Sequence, residues 1–283
     1  MEAKRDLDFY LKEISNLEEN NMFINMVQKK ITGGAITYEE IDELKKYPQV
    51  KGIEISGLKQ DTFEYFIENY GRQFEVIKFW KCPRVADFSR LELLTDIKYI
   101  SFYWNQKATH LWDLSKNKNL KVLIINDFRK MSSLEEIPLA PELEVLEFGD
   151  VMVDKFIVNS LKPLAKAPKL RFLEFSPKKV LDNDVAPLTK IANLEKLEFP
   201  GNLFTTEQIA MLTARLKNVE SSVLCAYVIN ERPFDFGGKI LNTYIVGKGK
   251  PSLNSEIDRA RIEKYKKQFE ELVKKYESEE LSI

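Results

Sequence analysis

One pattern, apolar-x-x-apolar-x-apolar, recurs along this chain of 283 residues at a nearly constant interval. It starts at Val50, Phe74, Ile97, Leu120, Leu143, Leu170, Leu194 and, in degraded form, Val219, at intervals of 24, 23, 23, 23, 27, 24 and 25 residues. A unit this short cannot bury its own apolar side, whereas stacking it on neighbours builds one continuous core. Full burial of one Leu or Phe contributes about 1.5–3 kcal/mol, which only an array can collect. The chain is therefore constrained to grow in one dimension.

The best copies read Leu120-Lys-Val-Leu123-Ile-Ile125, Leu143-Glu-Val-Leu146-Glu-Phe148, Leu170-Arg-Phe-Leu173-Glu-Phe175 and Leu194-Glu-Lys-Leu197-Glu-Phe199. They resemble the leucine-rich repeat family, whose unit is a short strand with a helical return. The resemblance runs from Val50 to about Val228, roughly two thirds of the chain. It implies an α/β solenoid, a curved right-handed horseshoe-like array with a parallel β-sheet on its concave face and helices on its convex face. The return segments carry Phe63, Phe66, Ile67 and Tyr70, then Leu91 and Leu94, Leu111 and Leu114, Leu161 and Leu164, Leu188 and Ile191, and Ile209, Leu212 and Leu216. Their spacing of three and four predicts helices. The longest interval predicts a longer helix around Lys155 to Ala165. Family members usually place Asn or Cys just past the strand. Here Asn105, Asn202 and Cys82 fit, while Leu58, Phe128, Val151, Lys178 and Tyr227 do not.

Three regions follow. Residues 1–49 form a helical N-terminal cap: Leu7, Tyr10, Leu11, Ile14 and Leu17 recur at three and four, and a turn follows at Ile31-Thr-Gly-Gly-Ala. Thr37 and Glu40 then form a capping box for a helix ending before Pro48. Residues 50–228 hold about eight repeats. Residues 229–283 form a C-terminal cap, with a hairpin-like pair at Val223–Ile229 and Ile240–Val246 around Pro233 and Gly237-Gly238. A long amphipathic helix with Ile262, Tyr265, Phe269, Leu272 and Tyr276 completes it, opening near Ser255 and Asp258. That helix caps the last repeat or docks a partner.

The 43 basic and 44 acidic residues leave a net charge of −1, which excludes the basic excess nucleic-acid binders rely on. The N-terminus is charged and reads as no signal peptide, and no long apolar run predicts a membrane span. Cys82 and Cys225 lie six units apart, about 29 Å at the spacing of stacked strands, too far to bridge. A reducing cytoplasm is the expected location. His110 is the one histidine, no C-x-x-C occurs, and Gly247-Lys-Gly-Lys-Pro lacks the spacing of a phosphate loop. The expectation is no catalytic residue, no metal and no cofactor.

Strand alternation places the residues between the motif positions on the concave face. Read across repeats, this gathers Trp80, Tyr99, Tyr103, Val122 and Ile124, with Trp104 at the rim, into an exposed apolar cluster. Beside it Glu147, Glu174 and Glu198 line up as an acidic column. Aromatic patches flanked by charge serve as interface anchors. The expected function is a non-catalytic module binding a protein partner, one with basic character, on the concave face. The narrower alternative is an inhibitor or immunity-type protein blocking a basic enzyme such as a nuclease, and the remote one is an enzyme with its site on the concave rim.

Overall fold

A computed structural model describes residues 7–30, 32–152 and 155–280. The charged N-terminal residues 1–6 and Ile31 of the expected turn lie outside them. The chain divides into two compact units, one of Met1–Asp184 with Ile191–Leu194, the other of Val185–Lys190 with Glu195–Ile283.

The first unit opens with helix α1 (Leu7–Glu19) and strand β1 (Phe23–Met26), followed by α2 (Tyr38–Asp42), β2 (Gly52–Ser56), α3 (Gln60–Asn69), β3 (Val76–Trp80), β4 (Tyr99–Asn105), β5 (Val122–Phe128) and β6 (Val145–Gly149). Short strands β7 (Ile157–Val158) and β9 (Lys179–Val180) flank β8 (Phe172–Ser176). The main sheet of this unit is parallel, in the order β1-β2-β3-β4-β5-β6-β8. Its register follows the repeat: Ile53, Ile77, Ile100, Leu123, Leu146 and Leu173 pair in succession, as do Ile55, Phe79, Phe102, Ile125, Phe148 and Phe175. All twelve are buried. Within these ladders Phe79 stacks on Phe102 at 4.9 Å and Phe148 on Phe175 at 5.4 Å between ring centroids.

The return segments differ from the expected helices. Among the described return segments of this unit only α3 is a full helix; the others are single 3-10 turns at Ser89–Leu93, Leu114–Lys116, Ile137–Leu139 and Lys162–Lys166. A 23-residue unit that spends seven residues on a strand, as those of β4 and β5 do, leaves little chain for three helical turns. Pro138 and Pro163 also stand in the first turns of their 3-10 segments, where a missing N–H does no harm. Leu91, Leu114, Ile137 and Leu164 are buried all the same. The longer helix expected at Lys155–Ala165 is absent. Its residues form β7, which pairs with β9 through Ile157↔Lys179 and Val158↔Val180, and then a 3-10 turn.

Strand β1, which no sequence pattern announced, adds to the sheet through Phe23↔Gly52 to Met26↔Ile55. The capping box of α2 is present: Thr37 Oγ1 accepts from Glu40 N–H at 3.2 Å, and the Glu40 carboxylate accepts from Thr37 N–H at 3.0 Å.

The second unit comprises a 3-10 turn at Ala186–Lys190, β10 (Lys196–Glu198), α4 (Thr206–Arg215), β11 (Tyr227–Phe236), β12 (Lys239–Ile245), β13 (Ser252–Leu253) and α5 (Arg259–Glu280). Strands β11 and β12 form an antiparallel hairpin around Gly237-Gly238, whose φ of 61° and 79° a two-residue hairpin turn demands. The α5 stripe seats Ile262 with Ile245 and Leu253, and α5 packs on α4. Ser255 does not open α5: its hydroxyl accepts from the Asn242 side chain at 2.7 Å, while Asp258 accepts from Asn254 N–H at 3.0 Å.

Candidate functional site

Four strands of the first unit, β2 to β5, end alike. Gly57, Lys81, Trp104 and Asp127, one per repeat, take left-handed φ of 72°, 50°, 68° and 58°. The backbone kinks there, and the next residue of each repeat, Leu58, Cys82, Asn105 and Phe128, is buried. Asn105 shows why an amide suits that place. Its side chain donates to Cys82 O at 3.1 Å and Val85 O at 2.8 Å, and accepts from Lys107 N–H and Ala108 N–H at 2.9 and 2.8 Å. Strand, left-handed turn and return thus recur in register at the sequence interval. This is a leucine-rich-repeat solenoid. Val151, read as another turn residue, is instead 62% exposed, because the chain leaves the sheet one residue earlier at Gly149 (φ 143°).

Charge is ordered along the end at which the strands of this leucine-rich-repeat sheet begin. Lys98 pairs with Glu75 at 2.6 Å, while Lys121 and Arg171 pair with the buried Glu144 at 3.1 and 3.2 Å. Glu142 receives both Lys121 and Lys169, whose hydrogen bonds hold its carboxyl down at about 2.

The concave residues lie in register across β2 to β8, but the row of Gly52, Val76, Tyr99, Val122, Val145 and Phe172 is not open. Tyr10 and Ile14 of α1 form one buried cluster with Val76, Tyr99, Val122, Ile124, Val145 and Phe172. Leu7, Phe9, Leu17 and Phe23 border it. Tyr99, Val122 and Ile124, expected to be exposed, retain only 4%, 0% and 8% of their surface. The α1 stripe finds its apolar partner across these strands and covers them. Burial pushes the Tyr99 phenol up to about 12.

Trp80, Tyr103 and Trp104 stay half-exposed. Trp80 and Tyr103 are register partners on β3 and β4. The Lys81 ammonium lies over both indoles, 4.5 Å from the Trp80 centroid and 5.6 Å from that of Trp104. Lys81 was not singled out in the sequence, where only its place one residue past the strand marks it. Glu147 and Glu174 are register partners as expected, and Glu147 accepts from Asn126 at 2.8 Å. Glu198, in the second unit, accepts from Ser222 N–H at 2.9 Å and from its hydroxyl at 2.5 Å. Among the described residues no group of three or more His, Cys, Asp and Glu is placed to hold a metal ion, and no helix is long and apolar enough to cross a membrane.

No protein-family profile and no curated protein sequence matches the chain. Solved structures do. An internalin C2 from Listeria monocytogenes aligns at 16% identity over 68% of this chain and 76% of its own, with a TM-score of 0.39. A leucine-rich-repeat protein from Leptospira interrogans aligns at 12% identity over 74% and 56%, with a TM-score of 0.48, so this chain spans little more than half of it. A second Listeria monocytogenes internalin, inlF, gives 14% identity over 76% and 68%, with a TM-score of 0.37. These superpositions are loose, and the fold assignment rests on the strand register of the chain itself.

Proposed function

We propose that the protein is a non-catalytic protein-interaction module that engages its partner on the concave side of the sheet, along the stretch that α1 leaves uncovered. The observation that carries this reading is the half-exposed pairing of Trp80 with Tyr103, joined by Trp104 at the adjoining turn. Large aromatic side chains that the core does not take up are what interfaces use as anchors. The seating of α1 supports the same reading, since it is an amphipathic helix already bedded on the neighbouring apolar row. Glu147 and Glu174, paired on β6 and β8, give the face an acidic flank and favour a partner with basic character. Glu198 is engaged by Ser222 and does not enter the proposed face.

The test is affinity capture on wild-type protein and on a Trp80→Ala/Tyr103→Ala variant, followed by mass spectrometry and a binding titration with the recovered protein. Binding through this face requires the variant to lose the titrated affinity while keeping its thermal unfolding midpoint. Equal affinity in the two proteins overturns the assignment.

A further inference from the structure

The two ends of the sheet in the first unit treat charge in opposite ways. Where the strands begin, lysine and arginine are matched by carboxylates, as Lys98 with Glu75 and Arg171 with Glu144. Where β2, β3 and β4 end, a single concavity is bordered by Lys59, Lys81, Arg84 and Lys107, and no carboxylate of the described residues lines it. None of these four forms an ion pair with a described residue. Trp104 and the buried Gln28 stand among them in the same wall.

Four like charges around one hollow repel one another, and no described carboxylate lines the hollow to offset them. The core does not require their charges: Lys59, Arg84 and Lys107 are exposed, and the Lys81 ammonium lies over indole faces. The position of Lys81 is set by its left-handed turn, φ 50°, where the preceding repeat uses Gly57. Such a turn holds the lysine stem over Trp80 and Trp104 and so reduces its freedom before any ligand arrives.

We propose that this concavity is a binding site for a small polyphosphate anion, of the inorganic tripolyphosphate or nucleoside triphosphate class. Lysine-rich donor sets present compact point charges that suit phosphate oxygens. The cations gather around one hollow and do not run as a track, so an extended nucleic acid is not the ligand this surface fits. The Trp104 indole gives a flat ring a face to lie on, which sets the nucleoside form apart from the inorganic one. The site goes beyond the proposed protein-binding function and does not depend on it.

The experiment is calorimetric titration of the full chain with sodium tripolyphosphate and, separately, with ATP, without added metal, at low and at physiological salt. Both anions are expected to bind saturably, and more weakly as salt rises. The Lys81→Gln/Lys107→Gln variant should lose about tenfold or more in affinity, or 1.4 kcal/mol and upward. Lys264→Gln/Lys267→Gln, which removes the same charge from exposed positions on α5, should bind as wild type does. Tighter binding of ATP, abolished by Trp104→Leu, assigns the nucleoside form, and equal binding of the two assigns the phosphate chain alone. Arg84→Gln/Lys107→Gln, at two exposed positions, serves in place of the first variant if that one unfolds. No saturable binding at millimolar anion, or equal loss in the site and α5 variants, overturns the proposal.

Discussion

The ring of Phe23 lies directly against the bare Cα of Gly52, its register partner, so that a Cβ on Gly52 would sit 2.3 Å from Phe23 Cδ2. The Lys78 ammonium covers the same ring at 5.2 Å from its centroid. Gly52 is therefore present for space, because β1 can join the sheet only if its aromatic ring passes over β2 unobstructed. Gly52→Ala is expected to push Phe23 off the sheet and cost about 1–3 kcal/mol, the usual range for overpacking. Urea unfolding of Gly52→Ala beside Gly52→Ala/Phe23→Ala checks it: the second change should recover part of the loss, and no recovery would place the strain elsewhere.

Ile14 is the α1 residue most deeply seated in the concave cluster. Ile14→Ala should destabilise α1 by about 2–5 kcal/mol, as other large-to-small core changes do. Because the helix only covers the sheet, hydrogen exchange should accelerate in α1 while amides of β3 to β5 keep their protection. Uniform acceleration throughout the first unit would mean that α1 is part of the folding core and not a cover.

Tyr99 links that seat to pH. Burial raises its phenol from an ordinary value of 10.0 to about 12. Below pH 10 folded and unfolded chains both hold the proton. Between pH 10 and 12 the unfolded chain loses it first, so stability falls across that window by up to about 2–3 kcal/mol. The unfolding free energy of wild type should therefore drop more steeply above pH 10 than that of Tyr99→Phe. Parallel pH profiles would show that Tyr99 ionises as it does in water.

Asn105 is the only amide side chain at the four regular turn positions of the array and serves four backbone groups. Asn105→Ala leaves buried N–H and C=O groups unsatisfied at about 1–3 kcal/mol each, so a loss of at least about 2 kcal/mol is expected. Asn105→Asp keeps the acceptor but turns a buried carboxylate toward the Cys82 and Val85 carbonyls, so it should cost at least as much as Asn105→Ala. Stability equal to wild type in Asn105→Ala would show that water replaces the amide at that turn.

The repeat period and the identity of the inward residues were legible in the sequence, because a strand side chain has only two directions and a repeated interval fixes which one is shared. The rows across β2 to β8 align as the motif spacing requires, down to Trp80 against Tyr103 and Glu147 against Glu174. Return geometry was less legible. Leucines at i and i+3 satisfy a 3-10 turn as well as an α-helix, and chain length between strands, together with Pro138 and Pro163, decided between them.

What the sequence determined by itself is local and periodic: which residues face the core, which face the concave side, and which amphipathic segments need a partner. What only tertiary structure decided is what those segments meet. The α1 stripe read as part of an N-terminal cap, and its choice of Tyr99, Val122 and Ile124 depends on contacts between residues far apart in the chain, which carry no periodic signature. The same holds for the cluster of Lys59, Lys81, Arg84 and Lys107, ordinary surface cations in the sequence that the stacked turns bring around one hollow. Apolar burial acts at every repeat and so leaves its mark on the period, whereas charge and cover act between repeats and leave theirs only in space.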